Sequence, residues 1–250
     1  MSVKSANRVL EILELLADHE QGLTVKEMSD ALSFPQSSTF NLVQTLFSDG
    51  YLVQSHNKTY KLGPKLIRIG SRALSSFDLH TDARVYLQEL MSKVEETVFM
   101  AVLSDDELVY IAKVDSNRSM KTSAEIGSRR PLYCTGLGKA FLSFIPKEKR
   151  EQYLQKTELK ALTPKTITDP DELNQQLSHF NSLGYAIDDE ENEEGLYCYS
   201  APIYDASGEM VAAISTAGPK ERITKDGDKV ISELLSTSRR ISENLGYFNR

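Results

Sequence analysis

The stretch that decides the fold is Thr24–Gly50, TVKEMSDALSFPQSSTFNLVQTLFSDG. Thr24 and Glu27 have the spacing of a capping box, in which each side chain satisfies an unpaired backbone N–H at a helix start. A helix is therefore predicted from there to about Leu32. Pro35 cannot continue it, because a proline disfavours helical geometry at the preceding residue, but it is well suited to open another helix. Two short helices with a tight turn between them are expected.

The second of these helices is predicted over about residues 36–48. Helical periodicity turns Thr39, Leu42, Val43 and Leu46 inward. The positions left facing outward are Gln36, Ser37, Ser38, Asn41, Gln44 and Thr45. Short, uncharged polar side chains of this kind can hydrogen-bond base edges in the major groove, so the pattern favours a helix-turn-helix. An ordinary helical hairpin is the alternative.

Segments on both sides extend this unit to a winged helix. Residues 5–17 carry apolar side chains at the spacing of one helical face, which predicts a preceding amphipathic helix. Residues 51–54 and 59–62 are strand-like and would form a hairpin, or wing. Lys58 and Lys61 of this wing would contact DNA phosphates.

Charge is unevenly distributed along the chain. The formal net charge of the 250 residues is -7, which by itself argues against nucleic acid. Residues 36–72, however, hold five basic side chains and only Asp49 against them. Positive charge is thus concentrated where a DNA-binding surface is needed, and Lys65 and Arg68 would join the wing lysines in neutralising phosphates. A mildly basic solvated face is the alternative.

Composition excludes several classes of protein. Hydrophobic residues make up 40% and charged residues 26%, so neither a disordered nor a fibrous chain is expected. No apolar run approaches the roughly 18 residues of a membrane span, and the first residues do not resemble a signal peptide. A cytoplasmic protein with no membrane partner is therefore expected. Cys134 and Cys198 stand far apart, which excludes a disulfide framework and a CxxC site.

The length suits two domains. A winged helix-turn-helix is predicted over residues 1–63, a helical linker over 64–78, and a second domain over 79–250, with SSFDL at the boundary between the last two. The strand-rich segments of the second domain are TVFMAVL, LVYIAKV, SMKTSAEI, YAID, LYCYSAPIYD and EMVAAIST. Helices are predicted at about 82–96, in GKAFLSFI, at about 171–183 and from about Asp226. This order predicts an α+β fold with a mainly antiparallel sheet.

Motifs spread along nearly the whole chain carry a family resemblance. In the first domain they are SANRVLEILELL, GLTVKEMSDAL, PQSSTFNLVQTLFSDGYL and YKLGPKLIRIG. In the second they are GSRRPLYCTGLGKAFLSFIP, LGYAIDDEENEEGLYCYSAPIYD and GEMVAAISTAGP. Together they resemble the IclR-type bacterial transcription regulators, which implies a GAF-like effector-binding and oligomerisation domain. Gln36 and Asn41 depart from the basic pair that members commonly carry, and Tyr133 stands where they commonly have a histidine.

The resemblance also implies an effector pocket in the second domain. Its expected lining is Arg130, Thr135, Gly136, Leu137, Asp188, Leu196, Cys198 and Ser215. From the residues alone, GLGKA is half a phosphate loop, but Tyr133 and Ala140 replace its first glycine and its Ser or Thr, which argues against a nucleotide. A glycine turn entering a helix still favours a small anion, and an arginine favours a carboxylate. A plain tight turn is the alternative.

The function implied is that of a repressor of a carbon-catabolic operon. It would bind a pseudo-palindromic operator in double-stranded DNA as a homodimer or homotetramer. The expected effector is an organic acid, with a sugar acid such as 2-keto-3-deoxygluconate preferred over an aromatic acid. No cofactor is expected.

Three alternative interpretations of the residues are an enzyme, an interaction module and a metal-binding protein. The histidines are scattered and HExxH, GxSxG and kinase motifs are missing from the sequence, so catalysis is not expected. A GAF-fold enzyme such as a methionine sulfoxide reductase is nevertheless one alternative, and a non-catalytic interaction module is another. The acidic run from Asp188 to Glu194 could bind a hard metal, but consecutive carboxylates point in different directions, so a solvated loop is expected.

Overall fold

The computed structural model describes residues 3–74, 79–118 and 124–248, and the chain divides into two units, residues 1–76 and 77–250. The first unit contains the three predicted helices and the hairpin, followed by one more helix. Its elements are α1 (Lys4–Ala17), α2 (Val25–Ala31), α3 (Gln36–Ser48), β1 (Leu52–Gln54), β2 (Tyr60–Leu62) and α4 (Pro64–Leu74). The two strands pair antiparallel, with Leu52 opposite Leu62. The predicted winged helix-turn-helix is confirmed.

The capping box at the start of α2 forms as predicted. The Thr24 backbone N–H donates to Glu27 Oε2 at 2.7 Å, and the Glu27 backbone N–H donates to Thr24 Oγ1 at 3.3 Å. Pro35 immediately precedes α3, and Ser33 in the turn adopts φ +53°. The helices and the hairpin close around one small core, whose buried members are Ile12, Leu16, Met28, Val43, Leu46, Leu52 and Tyr60.

The second unit alternates helices with long strands. Its first elements are α5 (Leu79–Val94), β3 (Thr97–Ser104), β4 (Glu107–Val114), β5 (Arg129–Arg130), α6 (Gly136–Phe144) and α7 (Lys147–Lys156). The remaining elements are α8 (Pro170–Leu183), β6 (Ala186–Asp189), β7 (Leu196–Tyr204), β8 (Met210–Pro219), α9 (Lys220–Ile223) and α10 (Gly227–Asn244).

One six-stranded sheet organises the second unit. Its strand order is β5-β4-β3-β8-β7-β6, and each neighbouring pair is antiparallel, which confirms the predicted sheet. Side chains alternate between its faces. Phe99 and Ala101 of β3 pack in the core that contains α6 and α8, whereas Val98 and Met100 pack in the core that contains α5 and α10. The sheet is therefore covered by helices on both faces.

The structure corrects some element predictions. The predicted strand SMKTSAEI does not extend over Ala124–Ile126, and the edge strand is instead Arg129–Arg130; Ser119–Ser123 lie outside the described residues. The first helix of the second unit spans 79–94 instead of 82–96, because Glu95 adopts φ +56° and ends it. Most of the predicted boundary segment SSFDL, residues 75–78, also lies outside the described part of the chain.

Helix α7 is absent from the sequence predictions. Its ten residues, KEKREQYLQK, are mostly charged, and only Arg150 and Tyr153 are buried. Two buried positions are too few to show a helical period in the sequence. The helix can therefore be recognised only once the structure shows that Tyr153 is buried.

Candidate functional site

The outward face of α3 is where the sequence predicts DNA contacts. The structure exposes Gln36, Ser37, Asn41 and Thr45 and leaves Ser38 and Gln44 partly buried. The hydroxyls of Ser38 and Thr45 donate to the backbone carbonyls of Pro35 and Asn41, at 2.9 and 3.0 Å. Within the described residues, the side chains of Gln36, Ser37 and Asn41 make no hydrogen bond of their own, so these three can take up new partners.

Gln44 instead holds α3 to the wing. Its Nε2 donates to the Tyr60 hydroxyl at 2.8 Å. Phe47, almost one turn further along α3, packs edge-to-face on the Tyr60 ring with 5.9 Å between ring centroids. The base-reading role predicted for Gln44 therefore competes with a contact inside the unit.

The basic side chains differ in their availability. Lys58 is exposed at the tip of the wing, where it adopts φ +63°, and Lys61 is partly buried. The Nζ of Lys65 donates to the Asp49 carbonyl at 3.0 Å and lies 4.6 Å from the centroid of the Tyr51 ring. Lys65 therefore stabilises the C-terminal end of α3, where a cation interacts favourably with the helix dipole.

All eight predicted effector residues line one cavity in the second unit. They are Arg130, Thr135, Gly136, Leu137, Asp188, Leu196, Cys198 and Ser215. Six further residues outside the predicted set also line the cavity: Phe99, Tyr110, Ala124, Asn192, Glu193 and Ala217. Strand register explains three contacts among them: Asp188 lies opposite Cys198, Cys198 opposite Ala217, and Phe99 opposite Ser215. Only the paired sheet reveals that register.

The glycine loop forms the start of α6 at one wall of the cavity. Thr135 is its N-cap, with Oγ1 accepting the Gly138 N–H at 3.1 Å. A Cβ at Gly136 would lie 2.5 Å from Cys198 Sγ and 2.7 Å from Ser200 Oγ. Only glycine permits this close approach of α6 to β7. The first N–H groups of the helix, which have no intrahelical partner, are therefore brought against the polar side of the cavity.

Asp188 is the most buried charged side chain of the cavity wall, at 2% exposure. Its Oδ1 accepts the backbone N–H of Glu191 at 2.8 Å and of Asn192 at 3.4 Å. Its Oδ2 lies 3.9 Å from Cys198 Sγ. Burial raises the pKa of the Asp188 carboxyl to about 6, although the nearby Lys139 acts in the opposite direction. Asp188 can thus accept or donate a hydrogen bond near neutral pH.

The two cysteines are buried thiols. Burial raises the pKa of Cys134 to about 12, with the Asp188 carboxyl adding to the effect. Burial likewise raises the pKa of Cys198 far above its usual value. Because the thiolate is the nucleophilic form, neither cysteine has the environment of a reactive thiol.

Arg130 supplies the positive charge of the cavity wall. Its partly buried guanidinium donates to the Arg129 carbonyl at 3.2 Å, and among the described residues it has no carboxylate partner. Arg129 is instead paired with Glu107 at 2.8 Å. Of the two arginines, Arg130 is the one placed to bind a carboxylate in the cavity.

The expectation of a solvated acidic loop at 188–194 holds for Glu193 and Glu194, which are exposed, but is wrong for the preceding carboxylates. Asp188 and Glu191 are buried, and Glu191 is paired with the fully buried Lys139. Asp189 is paired with Lys165 at 3.3 Å and with Lys220 at 2.5 Å. Glu190 contacts the same two lysines, and the hydrogen bond from Lys165 contributes most to lowering its pKa to about 2. The run is an ion-pair network, because three lysines from distant segments converge on it.

Over residues 3–74, 79–118 and 124–248, no group of three or more His, Cys, Asp or Glu side chains is arranged to hold a metal ion. In the same residues no helix combines the length and the apolar character needed to cross a membrane.

Comparisons with known proteins agree with both units. A family model of the IclR helix-turn-helix domain matches residues 5–56, and one of the C-terminal part of bacterial transcriptional regulator IclR matches residues 71–243. The HTH-type transcriptional regulator KdgR of Escherichia coli (strain K12) is 33% identical over 98% of this chain and 94% of its own length. The transcriptional repressor IclR of the same organism is 35% identical over 90% of this chain and 83% of its own. The crystal structure of Thermotoga maritima IclR is 32% identical, with a TM-score of 0.66 over 97% of this chain and 99% of that one.

Proposed function

Because the chain belongs to the IclR family of bacterial transcriptional regulators, we propose that it is a cytoplasmic repressor whose affinity for operator DNA is controlled by a small organic acid. A relative named as a transcriptional repressor supports the sign of regulation. We place the DNA-binding domain at residues 1–63, the linker at 64–78 and the effector domain at 79–250. The regulated genes would form a carbon-catabolic operon.

One observation supports the effector site most directly. A carboxylate-binding group, Arg130, and the start of α6 line the same cavity as Asp188, Cys198 and Ser215. The arginine and the helix N-terminus favour an anion, whereas the carboxyl, thiol and hydroxyl groups favour oxygen atoms that donate or accept hydrogen bonds. A hydroxy or keto acid has the carboxylate that the first groups favour and the oxygen atoms that the second groups favour. We therefore prefer a sugar acid of the 2-keto-3-deoxygluconate type to an aromatic acid.

The DNA site is proposed from the exposed face of α3. In a helix-turn-helix, the second helix enters the major groove and its N-terminal residues contact base edges, which here assigns Gln36, Ser37 and Asn41 to base reading. Lys58 and Lys61 would contact phosphates. A homodimer or homotetramer would place two such helices on half-sites about one helical turn apart, and the operator would be a pseudo-palindrome.

Neither alternative function gains support from the site. A methionine sulfoxide reductase needs a reactive thiolate, and burial raises the pKa of both cysteines. The relatives compared are transcriptional regulators, which are not enzymes. A DNA-binding assay distinguishes the proposed regulator from an interaction module that does not bind DNA.

The test combines DNA and ligand binding. Electrophoretic shifts with the upstream region of the protein's own gene, and selection from randomised duplexes, should yield a pseudo-palindromic sequence. A thermal-shift panel of organic acids then identifies acids that bind and release the DNA. Asp188→Ala and Cys198→Ala should fold and bind the operator like the parent but lose the response to the acid, because each leaves a ligand group without a partner. If the parent selects no DNA sequence, the proposed function as a DNA-binding regulator is wrong. If both variants still release DNA in response to the acid, the assigned pocket is wrong.

A further inference from the structure

Phe40 is an aromatic side chain that the small core of the first unit does not use. It is 50% exposed in the first half of α3. It belongs neither to the buried residues of that core nor to the partly buried side chains packed against them. Phe47, on the same helix, is also partly exposed at 39% but packs on Tyr60. The exposed surface of Phe40 therefore has no role in closing the unit.

The position of Phe40 places it on the flank of the DNA-reading face. One helical turn separates it from Gln36 and one turn from Gln44, so the three side chains form a stripe along α3. Gln36 is exposed, and the amide of Gln44 already donates to Tyr60. Phe40 is thus an exposed aromatic side chain one turn from the exposed Gln36 at the helix start. A single exposed apolar residue needs no explanation by itself; this one lies beside the groups proposed to read bases.

The chemistry of the major groove supplies a partner for such a side chain. Thymine alone among the four bases presents a methyl group there, and apolar side chains recognise it by contact. We infer that Phe40 is a specificity-determining residue that packs on the C5-methyl group of one thymine in each half-site. This inference rests on the proposed binding of α3 in the major groove. It adds an apolar contact to a face whose remaining side chains are uncharged hydrogen-bonding groups.

Removing the methyl group without changing base pairing provides the test. The operator selected by the parent protein is prepared with each thymine of the half-site replaced, one at a time, by deoxyuridine. Burial of one methyl group contributes about 0.8 kcal/mol, which corresponds to about a fourfold change in affinity per half-site. Replacement of the contacted thymine in both half-sites should therefore weaken binding of the parent about 15-fold. Phe40→Ala should bind the unmodified operator more weakly and should show no further loss at that position.

Phe47→Ala is the matched control, because it truncates the other partly exposed phenylalanine of α3. It should retain the full sensitivity to deoxyuridine. The assignment would be overturned if Phe40→Ala and the parent lost the same affinity at each deoxyuridine replacement. It would also be overturned if no replacement weakened binding of the parent. Either result would point to a protein contact for Phe40. These outcomes differ from failure of the proposed function, in which the parent would select no DNA sequence at all.

Discussion

The Nζ of Lys139 is paired with the carboxylate of Glu191 where both side chains are almost completely removed from solvent, at 0% and 4% exposure. Gln176 Oε1 accepts a second hydrogen bond from Lys139 at 3.1 Å, and the Phe180 ring lies 5.3 Å from the ammonium. Lys139 lies on α6 directly after Gly138, and Glu191 lies three residues after Asp188, just beyond the end of β6. The pair thus ties α6, whose first residues line the cavity, to the segment that follows β6.

The first prediction concerns this pair. Lys139→Met leaves the Glu191 carboxylate buried without its cation, so the free energy of unfolding should fall by about 3–5 kcal/mol. The double variant Lys139→Met with Glu191→Leu removes both charges and should recover most of that loss. Urea denaturation of the three proteins measures both effects. A double variant as unstable as the single one would show that packing, and not charge, is lost.

The second prediction concerns pH. Because burial raises the pKa of Asp188 from 3.8 to about 6, the folded state holds this proton more tightly than the unfolded chain does. The corresponding stability is fully present below pH 3.8 and is lost as the pH rises through about 6, an effect of roughly 3 kcal/mol. Asp188→Asn cannot titrate, so its free energy of unfolding relative to the parent should rise over this interval. A constant difference from pH 4 to pH 7 would contradict the buried, protonated carboxyl.

The third prediction uses the close approach of α6 to β7. Gly136→Ala places a Cβ 2.5 Å from Cys198 Sγ, so the helix start must shift and the acid response should be lost, together with about 1–3 kcal/mol of stability. Gly70→Ala is the control, because nothing lies within 4 Å of its Cβ and the helix should gain slightly. Thermal unfolding with and without the acid separates the two. Retained acid binding in Gly136→Ala would remove the glycine loop from the site.

The fourth prediction separates two residues of α3. Asn41→Ala should relax base preference at one position by roughly 1–3 kcal/mol. Gln44→Ala should weaken binding to all sequences alike, because it loses the hydrogen bond that ties α3 to Tyr60. Tyr60→Phe, which removes only the hydroxyl, should behave like Gln44→Ala. Competition with single-base operator variants distinguishes the two patterns, and a base-specific loss in Gln44→Ala would restore its predicted role in reading.

The fifth prediction concerns salt. If the wing neutralises phosphates, the logarithm of operator affinity falls linearly with the logarithm of salt concentration, with a slope of about -0.9 per contact. Lys58→Ala should reduce the magnitude of that slope by about 1 and weaken all sequences alike. Lys229→Ala, an equal change of charge at an exposed residue of the second unit, should leave the slope unchanged. Identical slopes for the parent and Lys58→Ala would exclude a phosphate contact.

The helices and the hairpin of the first unit follow from the sequence alone. The capping box of Thr24 and Glu27, the break at Pro35 and the apolar spacing of α1 and α3 act over a few residues, so each can be read locally. The strands of the second unit other than β5 follow in the same way from its strand-rich segments. Helix α7 does not, because its charged sequence carries no period and its place depends on what buries Tyr153.

The cavity could be located from the sequence only through the family resemblance, and its chemistry is decided by the tertiary structure. Glu191 belongs to a run of carboxylates that looks solvated, yet its partner Lys139 lies 52 residues earlier in the chain. Phe99 joins the cavity because β3 pairs with β8, which sets it opposite Ser215. Gln44 turns from the DNA-facing surface to the wing because the hairpin folds back onto α3. Burial, strand register and ion pairing connect residues distant in sequence, so local patterns contain no record of them.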